Sequence, residues 1–215
     1  MKTPMSHGEP PPAYRVIIER VCGVIFARLH YLEVDVHGSI HLALKQYVVE
    51  VYGASTWEQI LAQSNATIKM YLATSSYPDG EITALITAAS ALANRPANDM
   101  IEDFGRYLMP KLIQNYRSLV RPEWRTLDFL ENAEQSIHSV VRVQNPGARP
   151  PILRCVRHGA SELQIIYSSA RRLCALVRGM ALGAAQHFAE VVMVDERQCM
   201  LHGAESCDFR MRVVA

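Results

Sequence analysis

The sequence predicts an α+β fold: a helical N-terminal part, then a C-terminal part in which helices accompany a four-stranded antiparallel sheet. Between Gly38 and Val141 the apolar residues recur at three- and four-residue intervals, interrupted by Gly and Pro. Beyond Pro150 and Pro151 the period becomes two in four short segments, with a helical stretch between the second and the third.

Residues 1–12 hold Pro4 and Pro10 to Pro12 in a polar context and are expected to be disordered. Residues 13–34 suit an amphipathic helix, though no cap or turn marks its ends. Ile40, Leu42, Leu44, Tyr47, Val48 and Val51 place a helix over 39–52, stopped by Gly53. Ser55 and Glu58 form a capping box for a short helix over 57–62. A third helix follows Asp79 and ends before Pro96, on Ile82, Leu85, Ile86, Ala89 and Leu92; a fourth follows Asn98 and ends at Pro110, on Met100, Ile101, Phe104 and Leu108. Pro122 and Thr126 open the next, with Leu127, Leu130, Glu134, Ile137, His138 and Val141 along one stripe until Asn145, Pro146 and Gly147. Strands over 152–157 and 162–168 make a hairpin, a helix covers 169–187, and strands over 190–194 and 208–214 flank a turn rich in Gly, His and Ala.

The chain has 215 residues, 49% of them hydrophobic, enough for a substantial core. A net charge of +1 provides no global field for nucleic acid or a membrane surface, so neither is an expected partner. The longest uncharged run in the early apolar stretch, 21–27, is too short to span a bilayer. Five cysteines without framework spacing, and no secretory leader ahead of them, lead us to expect a reducing, cytoplasmic setting.

His138 stands on the inward face of its helix. A neutral imidazole there is either a core-edge histidine with a hydrogen-bonded partner or a ligand that leaves the opposite face of an iron open to a gas. Tyr167, Ser169 and Arg171, spaced by two where a strand runs out, either form a solvated strand end or converge as two hydroxyls and a guanidinium suited to a pair of carboxylates. Cys199, His202 and Cys207 around the last hairpin turn have spacing that suits zinc, the alternative being small buried hydrophobes. The remaining histidines, His41 among them, lack a paired ligand at useful spacing and are expected to be structural or surface residues.

The sequence resembles the haem nitric oxide/oxygen binding (H-NOX, HNOB) family, in its stand-alone bacterial form, from about His37 to the end. The resemblance rests on Tyr167-Ser168-Ser169-Ala170-Arg171, the family's haem-propionate motif; on His138 followed by Pro146-Gly147 and Pro150-Pro151; and on Gly38-Ser39-Ile40, Ala43-Leu44, Tyr52-Gly53 and Trp57. It implies an extension over 1–36, a helical part over about 37–95 and a haem-ligating part over about 96–215, with haem b between the two parts. His138 would ligate the iron, Tyr167, Ser169 and Arg171 would hold the propionates, and Ile40 and Pro151 would press on the porphyrin. Leu176 stands where oxygen-binding members carry a tyrosine, with the apolar Leu44 facing it, which implies nitric oxide and carbon monoxide binding without oxygen. Nitric oxide would weaken the link to His138, and the signal would pass to a separate protein such as a histidine kinase or a cyclic-di-GMP enzyme. Some members bind zinc through cysteine-rich ligands; Cys174, Cys199 and Cys207 look like three, with Glu196 or His202 as the fourth. A vinyl-reductase-like binding module without haem resembles the ending from Glu196 to Phe209, and a zinc or thiol redox sensor is a further reading. An enzyme is not expected, since no Ser-His-Asp set, carboxylate pair or phosphate loop is present.

Overall fold

Gly38 starts the first helix where a side chain would not fit: a Cβ there would lie 2.0 Å from the Leu72 carbonyl oxygen. In the computed structural model, which describes residues 35–64, 66, 70–144 and 150–214, this helix (α1, Gly38–Tyr52) follows a short strand (β1, Asp35–His37). The expectations for 1–12 and 13–34, and the Pro146-Gly147 turn, lie outside the described residues. Helix α2 covers Ala54–Gln63, and strand β2 (Ser76–Pro78) pairs antiparallel with β1 through Val36 and Tyr77. That pair was not expected: three residues per strand are too few to display a period. Helix α3 spans Asp79–Ala93 and closes on Asn94 in the left-handed region, φ 49°.

Helix α4 spans Ala97–Asn115 and continues through Pro110, where the sequence had suggested a stop. A proline deletes one backbone donor, a loss of about 3 kcal/mol in an isolated helix. Here burial of Met109 before it and Ile113 beyond it holds the helix on course.

The helix carrying His138 was expected to be continuous. It is instead α5 (Thr126–Ala133), a π-helical turn (Glu134–His138) and α6 (Ser139–Gln144), with the Ser139 amide closing on the Glu134 carbonyl. The Arg125 amide donates to Asp128 Oδ2 at 3.0 Å and the Thr126 amide to Glu190 Oε2 at 2.9 Å, so the start of α5 is capped partly from a distant segment.

The expected four-stranded antiparallel sheet is present, as β3 (Ile152–His158), β4 (Glu162–Ser168), β5 (Val192–Gln198) and β6 (Cys207–Val213) in the order β3-β4-β6-β5. Helix α7 covers Cys174–His187, starting five residues later than expected because the chain turns through a left-handed Arg172 (φ 50°) before it can enter a helix. Strand β5 begins at Val192, not Glu190, whose carboxylate is occupied at α5.

Two apolar clusters form. One packs α1–α4 around Leu44, Tyr47, Val48, Trp57, Ile60, Leu85 and Phe104; the other packs α4, α5 and α7 on the sheet around Phe129, Leu163, Phe209 and Met211. Helix α4 serves both, with Phe104 and Leu108 in the first and Met109 and Ile113 in the second.

Burial pushes the Glu190 carboxyl up, but hydrogen bonds from Thr126 and Arg125 more than offset it and hold it below the usual carboxylate range. A depressed folded value means that this stability is present above the unfolded value of about 4.3 and is lost as pH falls through the folded one. Glu190→Gln is therefore expected to cost about 1 kcal/mol near neutrality and to flatten the acid limb of a urea-midpoint profile between pH 7 and pH 3.

Candidate functional site

His138 closes the π-helical turn with its side chain 18% exposed, and its Nδ1 lies 2.9 Å from Glu134 Oε2. Glu134 also accepts from the Leu153 amide of β3 at 3.3 Å and pairs with Arg142 through Oε1. Burial pushes the Glu134 carboxyl up, and the hydrogen bonds from His138 and Arg142 bring it below its ordinary value, so the group is an anion at neutral pH. An anion accepting at Nδ1 favours the tautomer of a neutral imidazole with its proton there and its lone pair at Nε2. Sequence reasoning placed Glu134 on the inward stripe and gave it no role; its i,i+4 spacing to His138 was the available signal.

Tyr167 ends β4 on the buried face of the sheet, opposite Leu153 and Cys207, at 2% exposure, and burial raises its phenol pKa. Ser169 and Arg171 follow in the loop before α7, and the Arg171 amide donates to Ser169 Oγ at 3.2 Å. Arg171 Nε bonds Asp79 Oδ1 at 2.8 Å, with both side chains largely buried, so the first residue of α3 is tied to the loop after β4. Asp79 had been read as a helix start alone.

Ile40, Leu44 and Leu176 pack on the helical cluster, Leu44 fully buried and the other two half-buried. Pro151 is half-buried just ahead of β3. On α1, His41 is 0% exposed, stacked on Tyr71 at 4.6 Å and edge-on to Tyr77 at 5.2 Å. Burial lowers its pKa, so it packs as a neutral ring.

At the same end of the sheet, beside Tyr167, Cys174 opens α7 and meets Cys199, Cys207 and Glu196, all four ligand atoms lying within 4.8 Å of one another. Cys207 Sγ is 3.1 Å from Cys174 Sγ and 3.8 Å from Cys199 Sγ. Arg178 pairs with Glu196 Oε2, and Glu196 Oε1 is buried. Burial first, then the neighbouring thiols, raise the Cys174 pKa; burial first, then a hydrogen bond with Glu196, raise that of Cys199. Of the two candidates for a fourth member, Glu196 joins the group; His202 is exposed on the turn.

The family model described as Haem-NO-binding (HNOB) matches residues 37–196, about three quarters of the chain. The chain belongs to the haem-NO-binding family. An H-NOX protein from S. oneidensis in the Fe(II) state, a substituted variant, superposes with a TM-score of 0.79 at 25% identity, covering 84% of this chain and 97% of that one. The fold is likewise that of the Fe(II) unliganded H-NOX protein from K. algicida, TM-score 0.75 at 19% identity, covering 84% and 97%. Soluble guanylate cyclases gcy-31 and gcy-35 of Caenorhabditis elegans are 24% and 28% identical over 162 and 173 residues, which is 74% and 75% of this chain. The chain spans about a quarter of the length of these cyclases.

H-NOX domains are haem-binding gas sensors, not catalytic domains, and S. oneidensis H-NOX structures exist in Fe(II)NO and Fe(II)CO states. In this haem-NO-binding chain the donor set fits the group: an imidazole held at one nitrogen with the other able to ligate a metal, and an arginine anchored through Nε whose amide meets the Ser169 hydroxyl. Among the described residues no helix is long and apolar enough to cross a membrane.

Proposed function

We propose that the chain is a haem-based sensor of nitric oxide in which His138 ligates the iron. The observation that supports this best is the Glu134 carboxylate at His138 Nδ1, which orients the ring and reserves Nε2 for a metal. Bound haem b would supply a ferrous iron able to take nitric oxide or carbon monoxide. Tyr167, Ser169 and Arg171 hold the two propionates, and Asp79 orients the Arg171 guanidinium for that contact. Ile40 and Pro151 press on the ring system. Leu44 and Leu176 present no hydrogen-bond donor, which disfavours oxygen, a ligand that needs one.

His138 stands in the π-helical turn between α5 and α6, and its partner Glu134 accepts from β3, so a change in the position of His138 would shift these elements relative to α3, whose first residue holds Arg171. Such a shift is a two-state change biased by a ligand. The haem domain runs over 37–215, its helical part over 37–95 and its ligating part over 96–215. It works in the cytoplasm and signals in trans to an effector, a histidine kinase or a cyclic-di-GMP enzyme. Reduced protein is expected to change its Soret band with nitric oxide and with carbon monoxide but not with air-saturated buffer over minutes. A stable oxygen complex contradicts the assignment of the pocket.

A second reading concerns the cysteine cluster, and the convergence of Cys174, Cys199, Cys207 and Glu196 within 4.8 Å favours it. Three thiolates and one carboxylate make a tetrahedral zinc site of closed, structural type. Purified protein is expected to carry one zinc per chain, and Cys207→Ser to lose it with a marked fall in Tm; a zinc-free wild type contradicts the site.

A further inference from the structure

We infer that Glu134 is the positioning residue of the proximal histidine, and that Arg142 sets how strongly it acts. The inference rests on the reading of His138 as ligand and goes beyond it. Glu134 has a bond on each of three sides: His138 Nδ1 at 2.9 Å, the Leu153 amide of β3 at 3.3 Å, and the Arg142 guanidinium. The π-helical turn joins Glu134 to His138, and Arg142 lies one turn further along in α6. The carboxylate is 26% exposed, so its charge acts through a partly desolvated path, whereas Arg142 at 40% is nearer the solvent.

A carboxylate accepting the Nδ1 proton draws that proton away from the ring and makes Nε2 a stronger donor than a backbone carbonyl or water would. The cation on the other carboxylate oxygen withdraws part of that effect, since a shared anion pulls less on each partner. The two residues therefore act on the same ligand in opposite directions. The Leu153 amide anchors the carboxylate to the sheet, so a change in His138 position is felt at the start of β3.

The test uses the full chain with haem, reduced and gas-free, and reads the iron–histidine stretching band by resonance Raman spectroscopy together with the rate of haem loss to apomyoglobin. Glu134→Gln keeps the size of the side chain and an acceptor for the Leu153 amide. It is expected to move the band to lower frequency and to speed haem loss about 10-fold or more. Arg142→Ala, a change at the surface, is expected to move the band to higher frequency. A role confined to folding would shift neither band in this opposed way. If the Glu134→Gln band stays at the wild-type position, or both variants shift in the same direction, the inference is overturned. His138→Gly separates the two levels of the claim: loss of the band there with no response in Glu134→Gln removes the role of Glu134 and leaves the ligand in place. A band that survives His138→Gly removes both.

Discussion

Gly179→Ala is expected to destabilise the protein by about 3 kcal/mol or more, the upper range for inserting a methyl group into a packed interior. A Cβ at this position would lie 1.9 Å from the Glu102 carbonyl oxygen and 2.7 Å from its carbonyl carbon. Both atoms are backbone of α4, so no side chain can rotate aside. The contact is reciprocal: a Cβ on Gly105 would meet the Leu176 oxygen at 2.6 Å, and one on Gly183 the Arg106 oxygen at 2.6 Å. The α4–α7 pair can accept a methyl group only by separating, and Leu176 would move with α7. Urea denaturation should show a lower midpoint with an unchanged slope, and the gas-binding spectrum should alter in whatever protein remains folded. Gly80→Ala is the control. Nothing lies within 4 Å of a Cβ there, and a helical position gains about 0.5–1 kcal/mol from alanine. Equal effects at the two glycines would contradict the packing account.

Phe209→Ala is the second large effect, about 3–5 kcal/mol for a buried aromatic ring reduced to a methyl. Phe209 is 0% exposed in β6, an inner strand between β4 and β5, opposite Ile165 and Glu196. It shares a face with Cys207, so its removal should also loosen the cysteine cluster and raise the reactivity of those thiols toward a thiol reagent. Met193→Ala, 63% exposed on β5, should cost under about 0.5 kcal/mol by the same measurement.

The helices and the sheet were legible in the sequence because amphipathic period reports which face is buried, and Leu85, Phe104, Leu163 and Phe209 all lie where that period places them. Breaks set by tertiary contact were not legible. Pro110 reads locally as a stop, yet Met109 and Ile113 on either side of it are buried, which outweighs one lost hydrogen bond. The π-helical turn at Glu134–His138 depends on Leu153 and Arg142 meeting Glu134, partners 19 and eight residues away. At the candidate site, the Tyr-x-Ser-x-Arg spacing and His138 were readable as candidates. Their second partners were not: Asp79 lies 92 residues from Arg171, and no local pattern links them. Glu196, one of two candidates for the fourth place near the cysteines, could be chosen over His202 only when the turn placed the histidine outside.

The central claim is that His138 Nε2 is the protein's ligand to haem iron, and its most direct measurement is the absorption spectrum of the reduced, haem-loaded protein with and without the His138→Gly substitution. A Soret band of a five-coordinate, histidine-ligated ferrous haem is expected in the wild type. It should be lost or displaced in His138→Gly and restored by added imidazole. A wild type that takes up no haem, or a band indifferent to the substitution, would contradict the account.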